Sequence, residues 1–271
     1  MNYRHFYHAG NFADVVKHVA LVAILLHLKK KDAGFAVVDS HAGRGGYDLA
    51  GAEAGKTGEA AGGVARLAGL TGDLPETLSI YLSLVKESGE NTYPGSPLIV
   101  AKLLRPQDRL TAIEKNPAEF AALKEALSPF RNAAAECGDG YARAIKLLPP
   151  QQRRGLVLLD PPFEASDEFS LLAQSVREAW RKFAAGIFLV WYPIKSQAAA
   201  DAFTGEVLAG GMAKAMTVDT AIAAPEGKLA RAGLLVINPP YGFSAAMRAA
   251  SGIIAPLLNA TITSTWLAGA E

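Results

Sequence analysis

The stretch from Gly155 to Phe163 carries the residues best suited to chemistry. Its sequence is an apolar run that ends on Asp160 and is followed by two prolines, which have no N–H for a sheet ladder. Such a run predicts a buried parallel strand with Asp160 at its carboxyl end. A planar amine would find acceptors in the Asp160 carboxylate and the Pro161 carbonyl, and an aromatic face in Phe163. An Asp that only caps the next helix fits so short a motif equally well.

Composition excludes several classes of protein. The chain has 271 residues, half of them hydrophobic, with 27 basic and 26 acidic side chains, so it is not a polybasic protein. Its one cysteine, Cys137, cannot form an internal disulfide, which fits a reducing cytoplasm. The N-terminus lacks a signal-peptide pattern, and the longest apolar run, Val19 to Leu26, is too short for a bilayer. We expect a cytoplasmic protein without a membrane partner.

Four acidic residues follow the ends of successive predicted strands. Asp39 ends the first strand, Glu114 the second and Asp160 a later one, while Asp139 follows a short strand over residues 133–136. In a doubly wound sheet such ends converge on one crevice. There, an acid after the second strand can hold both hydroxyls of a ribose, and an acid after the third can bind the amino group of an adenine. Helices predicted between the strands, and one from Phe169 to Phe183, complete an α/β alternation.

The N-terminal part predicts a helix from Phe12 to Lys30, capped by Asn11. Asp14, Lys17 and His18 lie one turn apart, and we interpret them as a solvated polar face. His5, His8, Asp14 and His18 have no recognised metal-ligand spacing, so no metal site is predicted.

A Gly-rich turn from Ser40 to Gly46 follows the first strand and would let a ligand approach the backbone closely. It has neither the dinucleotide pattern nor the P-loop pattern, so it is weak evidence alone. Residues 48–91 predict a small helical insertion rather than a sheet, closed by a turn over residues 93–97, with Ser96 as the cap of a helix from Pro97 to Leu104. The main domain would then comprise residues 1–47 and 92–271.

The chain as a whole resembles S-adenosylmethionine-dependent adenine-N6 methyltransferases, and most closely the RlmJ family of bacterial 23S ribosomal RNA methyltransferases. The resemblance covers almost the whole chain. It is carried by Tyr-Arg-His…His-Ala-Gly-Asn-x-Ala-Asp-Val-x-Lys-His (residues 3–18), Asp-x-His-Ala-Gly (residues 39–43), Tyr-Pro-Gly-Ser-Pro (residues 93–97) and Asp-Pro-Pro (residues 160–162). It implies a Rossmann-like α/β fold whose mostly parallel sheet has one antiparallel strand, with the helical insertion added.

The resemblance also implies roles for individual residues. Asp160, Pro161 and Phe163 would be catalytic, and Tyr3 and Phe163 would contact the substrate. Lys17 would pair with the methionine carboxylate of the cofactor, and Glu114 would hold its ribose. The full set implied to bind S-adenosyl-L-methionine is Lys17, His18, His41, Gly43, Ser96, Glu114, Asp139, Gly140 and Asp160. Phe163 departs from the family, which usually has Tyr there: stacking survives this change, and a hydroxyl hydrogen bond does not.

The implied reaction is methyl transfer to the N6 amine of an adenine in 23S ribosomal RNA, by a monomer. Adenine N6 is a poor nucleophile, because its lone pair is delocalised into the ring, so positioning would supply most of the acceleration. Alternatives of the same fold are a methyltransferase for DNA adenine or a protein amide. A non-catalytic nucleotide-binding module is a further alternative.

A second Pro-Pro motif, Asn238-Pro239-Pro240-Tyr241, fits the same pattern and carries the family's tyrosine. It follows the second strand of a predicted hairpin, Met216 to Ile222 with Leu234 to Asn238. In methyltransferases of this architecture, that strand runs antiparallel to the others. Asn238 would therefore lie at the edge of the sheet opposite the crevice, and we predict that it is not catalytic.

Overall fold

The computed structural model describes residues 9–50 and 59–270, and its centre is an eight-stranded sheet in the order β10-β8-β9-β7-β6-β1-β4-β5. The strands of this sheet are β1 (Ala36–Asp39), β4 (Arg109–Glu114), β5 (Ala133–Cys137), β6 (Gly155–Leu159), β7 (Ile187–Pro193), β8 (Ala215–Ile222), β9 (Arg231–Ile237) and β10 (Ala260–Ala268). A separate ribbon pairs β2 (Gly46–Asp48) with β3 (Thr92–Pro94).

Helices cover both faces of the sheet. They are α1 (Phe12–Lys29), α2 (Glu76–Glu87), α3 (Ser96–Leu103), α4 (Pro117–Leu127), α5 (Gly140–Lys146), α6 (Glu168–Lys182), α7 (Gln197–Leu208) and α8 (Phe243–Leu258). Successive residues of β1 point to different cores: Val37 packs in the core of α1 to α4 and α8, and Val38 in that of α5 to α7. All four residues of β1 are buried, as expected for a central parallel strand.

Parallel pairing brings the carboxyl ends of five strands to the same edge of the sheet, as the sequence predicted. Strand β1 is parallel to β4 and β6, and the parallel pairing continues to β5 on one side and β7 on the other. The carboxyl ends of these five strands therefore share one edge of the sheet, which we call the crevice edge. Strand β9 is the predicted antiparallel strand, and β10 runs in the same direction as β9 at the sheet margin.

Helix α1 is the most deeply buried helix, and it begins where the sequence predicted. The Asn11 side chain accepts a hydrogen bond of 2.9 Å from the Asp14 N–H, which makes it the N-cap. The predicted solvated face was wrong, because Asp14, Lys17 and His18 are only 1–3% exposed. Helices α2, α3 and α8 pack around α1 and remove that face from water.

The segment from Gly46 to Ser96 differs from the prediction in two places. Tyr93 and Pro94, predicted in a closing turn, belong to β3, so a two-stranded ribbon stands at the base of the helical part. Ser96 is not a cap: Gly95 takes that position, and the Ser96 hydroxyl donates to Asp39 Oδ2 over 2.6 Å. The described residues between the two strands include two 3-10 turns (Glu59–Gly62 and Val64–Leu67) and α2. The core residues of this segment, such as Leu78 and Tyr81, belong to the same cluster as those of α1.

Within the described residues, no helix combines the length and the hydropathy that a membrane span requires.

The second Pro-Pro motif follows β9 at the edge opposite the crevice. Ile237 pairs with Phe188 near the start of β7, so Asn238 lies beside the beginnings of the parallel strands, as predicted. Its amide donates to the carbonyl oxygens of Ala184 and Gly186 over 2.8 and 2.7 Å. Its backbone has a φ of +53°, in the left-handed region. Asn238 therefore ties β9 to the turn before β7.

We predict that Asn238→Ala lowers the free energy of unfolding by about 2 kcal/mol, because the change removes two amide hydrogen bonds. In addition, Ala has no polar side chain to offset the cost of the left-handed backbone, as Asn has. Urea unfolding measures this change. Asn238→Gly is the matched control, because it loses the same hydrogen bonds without the backbone strain and should be more stable than the Ala variant. An Ala variant as stable as the wild-type protein would contradict this role.

Candidate active site

A cleft opens at the crevice edge between the ends of β6 and β7. Asp160 comes directly after β6 and lines this cleft, which has a volume of about 180 Å³. The other lining residues are Asn11, Ala13, Asp14, Lys17, Pro162, Phe163, Trp191, Pro193, Lys195 and Leu229. The predicted catalytic carboxylate and its aromatic neighbour therefore share one small cavity with the N-terminal turns of α1.

Lys17 joins α1 to this strand end. Its Nζ lies 2.5 Å from Asp160 Oδ2 and 2.7 Å from Asp14 Oδ1. Burial alone would lower the pKa of Lys17, but the charges and hydrogen bonds of Asp14 and Asp160 outweigh burial and raise that pKa. The ammonium is thus held as a cation between two carboxylates. No described residue donates to Asp160 Oδ1, so this oxygen is available to accept from a substrate amine.

Phe163 and Trp191 form the aromatic wall of the cleft. The backbone of Phe163 has a φ of +52°, which turns the chain sharply after the two prolines. Its ring makes edge contacts with Phe169 at 4.8 Å and with Trp191 at 5.8 Å between ring centroids. These contacts fix the orientation of the half-buried Phe163 ring beside Asp160.

His41 is held in one tautomer by its neighbour. The Ser40 hydroxyl donates to the Leu158 carbonyl oxygen over 3.0 Å, so it accepts from His41 Nδ1 at 2.7 Å. Nδ1 therefore carries the proton, and Nε2 is an acceptor that lies close to Gly140. Burial lowers the pKa of His41 to about 4, against the opposing charges of Asp160 and Asp139. The ring is neutral at physiological pH.

Glu114 and Gly43 are brought together at the end of β4. The Glu114 carboxylate accepts from the Gly43 N–H at 2.9 Å and from the Asn116 N–H at 2.7 Å. Gly43 has a φ of +60°, and a Cβ at this position would collide with the Tyr47 hydroxyl. The predicted ribose acid is therefore oriented by the Gly-rich turn itself.

Asp139 and Gly140 begin α5 beyond the end of β5. Asp139 is the N-cap, accepting from the Ala142 N–H over 3.2 Å, and it pairs with Lys115 over 3.2 Å. Burial opposes these contacts but does not cancel them, so the pKa of Asp139 lies below its ordinary value. A Cβ at Gly140 would collide with the Ser40 carbonyl oxygen and crowd His41, so only glycine lets the two turns approach this closely.

Asp39 lies fully buried below the crevice, with Ser96 as its hydrogen-bond donor. Burial and the charge of Asp160 raise the pKa of Asp39 to about 7, although Ser96 and Lys17 act in the opposite direction. Ser96 was predicted as a cofactor contact from its motif. Ser96 is only 6% exposed, and its hydroxyl is directed at Asp39. It therefore supports the end of β1 from the side away from the crevice.

His18 points away from the cleft, towards the segment before α3. Its Nδ1 lies 2.6 Å from the Tyr93 hydroxyl, which in turn lies 3.1 Å from that of Tyr81. The His18 and Tyr93 rings stack at 5.5 Å. This side chain therefore joins α1 to α2 and β3. Tyr3, the predicted substrate contact, and His5 and His8 lie outside the described residues.

Sequence reasoning missed several residues that line the cleft. Asp14 was assigned to solvent, and Trp191, Lys195 and Leu229 were not assigned to the site at all. Trp191 and Lys195 follow the pattern that located Asp160, because both lie near the end of a parallel strand, and that signal could have identified them. Leu229 lies in the β8–β9 turn and has no such signal.

Basic residues that could form a local RNA-binding patch are Arg4, which lies outside the described residues, Lys29 to Lys31, Arg153, Arg154, Arg177, Arg181 and Lys182. Those that the structure describes lie far from the cleft. Lys29 ends α1, Lys30 and Lys31 follow it, and Arg153 and Arg154 precede β6. All five therefore lie at the edge where the parallel strands begin. Arg154 donates to the carbonyl oxygens of Leu28 and Ala33. Arg181 and Lys182 end α6 near the same edge, and Arg177 lies one turn before them. A basic surface near the active site must come from other residues.

We predict that the His41 ring titrates near pH 4 and is protonated at Nδ1 above that value. Because the folded protein disfavours the charged ring, its stability should fall as the pH drops from about 6.5 to 4, where the unfolded chain binds the proton more readily. Nitrogen-detected NMR of the imidazole measures both the titration and the tautomer. Ser40→Ala is the control, because it removes the acceptor for Nδ1. A wild-type midpoint near 6.5 would contradict this environment.

The chain matches the model of a protein family described as ribosomal RNA large subunit methyltransferase D, RlmJ, over residues 32–268. It is 36% identical over 277 residues to the ribosomal RNA large subunit methyltransferase J of Haemophilus influenzae, covering 98% of this chain and 97% of that protein. It is 37% identical over 247 residues to the protein of the same name from Escherichia coli, covering 89% and 88%.

The fold is similar to a crystal structure of a protein from Legionella pneumophila, with a TM-score of 0.88 and 29% sequence identity over 95% of this chain and 97% of that one. The family match covers most of the chain, and both named relatives align over nearly their full length. This chain therefore belongs to the RlmJ family of ribosomal RNA large subunit methyltransferases.

Proposed function

We propose that this protein transfers the methyl group of S-adenosyl-L-methionine to the N6 amine of an adenine in 23S ribosomal RNA. The observation that carries the proposal is the position of Asp160 at the carboxyl end of β6, in a cleft that also contains Phe163 and Lys17. An acceptor carboxylate beside an aromatic ring suits a planar base with an exocyclic amine. A module that only binds a nucleotide would not need this polar position, so the arrangement favours a transferase.

S-adenosyl-L-methionine, when bound, supplies a methyl group on a sulfonium, which is a good leaving group. Asp160 Oδ1 and the Pro161 carbonyl accept the two N6 hydrogens, which favours a pyramidal nitrogen whose lone pair is directed at the methyl carbon. The cofactor would supply the methyl group for the new N–C bond, and its sulfur would retain the electron pair of the S–C bond. Asp160 takes the displaced N6 proton, and the methylated amine is left neutral.

Lys17 holds Asp160 in place for this reaction. Its ammonium fixes Oδ2 and leaves Oδ1 to the substrate, so the carboxylate presents one oxygen in a constant orientation. The role predicted from the family, a pairing of Lys17 with the methionine carboxylate, would require Lys17 to share its ammonium with Asp14 and Asp160. We favour the positioning role, because both carboxylates already lie within hydrogen-bond distance.

The cofactor would lie along the crevice edge from Asp160 to Asp139. Glu114 offers its carboxylate to the ribose, and Asp139 and Gly140 stand at the adenine end. His41 Nε2 would accept a hydrogen bond from the cofactor, and Gly43 would let the cofactor approach the backbone. Ser96 and His18 act from behind, through Asp39 and Tyr93 respectively. The chemistry of the donor set supports the fit, because the carboxylates of Glu114 and Asp139 stand at the ends of neighbouring strands and can accept from hydroxyl and amino groups.

The substrate adenine would leave its stack to enter the cleft, as base-modifying enzymes require. We propose that Tyr3 contacts this substrate.

We also propose that the protein is a cytoplasmic monomer, and that residues 48–91 form a helical subdomain that helps to bind RNA. Helix α2 of this subdomain packs on α1. Deleting the subdomain would therefore expose the core, and point substitutions on its exposed side chains are the better test of RNA binding.

We predict that Asp160→Asn slows methyl transfer by roughly 10² to 10⁴, because the amide cannot take the N6 proton. Tritium transfer from labelled S-adenosyl-L-methionine to an in-vitro 23S ribosomal RNA transcript measures the rate, and nucleoside analysis identifies N6-methyladenosine. Calorimetry should show that the variant still binds the cofactor.

The matched control is Asn238→Ala, a change in the other Pro-Pro motif, which should retain the methyl-transfer rate in the folded fraction. If Asn238→Ala stops transfer in a folded protein while Asp160→Asn does not, the active site has been assigned to the wrong end of the sheet. DNA and protein substrates in the same assay test the other acceptor classes.

For Phe163, we predict that Phe163→Tyr retains activity, while Phe163→Ala loses roughly 1–3 kcal/mol of base binding. The expected cause is loss of the stacking face, which Tyr supplies as well as Phe. The KM for RNA and the rate at saturating RNA separate this loss from a change in chemistry. Near-wild-type kinetics for both variants would remove Phe163 from the substrate site.

A further inference from the structure

Lys195 lies at the mouth of the catalytic cleft on a short, well-anchored segment. It follows the end of β7 by two residues and is exposed, yet it lines the same cavity as Asp160 and Phe163. The Ile194 N–H donates to the Arg231 carbonyl oxygen over 2.9 Å, and Ser196 caps α7 by accepting from the Ala199 N–H over 3.2 Å. The backbone on both sides of Lys195 is therefore fixed, so its side chain starts at the mouth of the cleft.

The charges around the cleft leave Lys195 available for an anion. Of the lining residues that the structure describes, the other cation is Lys17, whose ammonium pairs with Asp14 and Asp160. Arg231, beside Ile194, donates to the Gln197 side chain over 2.7 Å. Among the described residues, Lys195 makes no hydrogen bond or ion pair.

The size of the cleft determines which part of a nucleotide meets Lys195. Its volume of about 180 Å³ is below the ~300–1,000 Å³ that is typical of sites enclosing a whole small molecule. It is therefore suited to a base against Phe163 and Trp191, not to a complete nucleotide. A flipped nucleotide remains joined to its chain, so the backbone phosphates stay at the mouth.

We propose that Lys195 binds a backbone phosphate next to the target adenosine and so holds the flipped nucleotide over Asp160. This inference rests on the proposed function, because it assumes a nucleic-acid substrate whose base enters this cleft. The role is positional: Lys195 strengthens RNA binding by one ionic contact and takes no part in the transfer of the methyl group or the proton.

The test is the salt dependence of kcat/KM on a 23S ribosomal RNA transcript, measured from 50 to 200 mM monovalent salt. Removing one phosphate contact should reduce the logarithmic salt slope by about 0.7, so wild-type kcat/KM should fall about 2.6-fold further than that of Lys195→Gln over this range. The KM for RNA should rise in Lys195→Gln with kcat retained, and Lys195→Arg should restore the wild-type slope.

Lys31→Gln is the matched control, because Lys31 is an exposed lysine in the turn after α1, at the edge of the sheet opposite the crevice. It removes the same charge and should leave the slope unchanged. Equal slopes for wild type and Lys195→Gln, or equal reductions in Lys195→Gln and Lys31→Gln, would overturn the inference. A wild-type protein that does not methylate the transcript would instead contradict the proposed function, so the two failures are distinguishable.

Discussion

Lys17 is 2% exposed, and its ammonium lies between the carboxylates of Asp14 and Asp160. Removing a cation from water costs several kcal/mol, and only well-placed partners offset that cost. The contact therefore constrains the positions of the helix and the strand to which the two carboxylates belong. Asp14 belongs to the same helix, one turn away, and also accepts from the Gly10 N–H. Asp160 belongs to the sheet. The ion pair therefore fixes the register of α1 against the end of β6.

The same constraint orders the site around the strand ends. Once α1 is fixed over β6, Asn11, Asp14 and Lys17 line the cleft opposite Phe163 and Trp191. The acids along the edge then differ in environment. Asp39 is buried below the crevice, and its pKa is raised to about 7, whereas exposed Asp139 caps α5 and pairs with Lys115, and its pKa is lowered. Parallel strands bring acids together, but the surrounding burial gives each a different chemical character.

The features that were predictable from sequence depend on local chain geometry. Pro-Pro after an apolar run located Asp160 at a strand end, and Asn11 was identifiable as a cap because its oxygen bonds a backbone N–H three residues away. What could not be predicted depends on distant partners. Serine is a residue type that often caps helices, but the Ser96 hydroxyl instead donates a hydrogen bond to Asp39, 57 residues earlier. Asp14, Lys17 and His18 have the spacing of a solvated face, and their burial depends on partners distant in the chain, such as Asp160 for Lys17 and Tyr93 for His18.

The two Pro-Pro motifs show why motif identity alone does not locate a catalytic centre. In both, an apolar strand ends on a polar residue and two prolines stop the ladder. After β6, the left-handed residue is Phe163, so the chain turns beyond the prolines and leaves Asp160 facing the cleft. After β9, the left-handed residue is Asn238 itself, and its amide donates to two carbonyl oxygens in the turn before β7. Strand direction decides between these outcomes, because only a parallel strand delivers its last residue to the crevice edge.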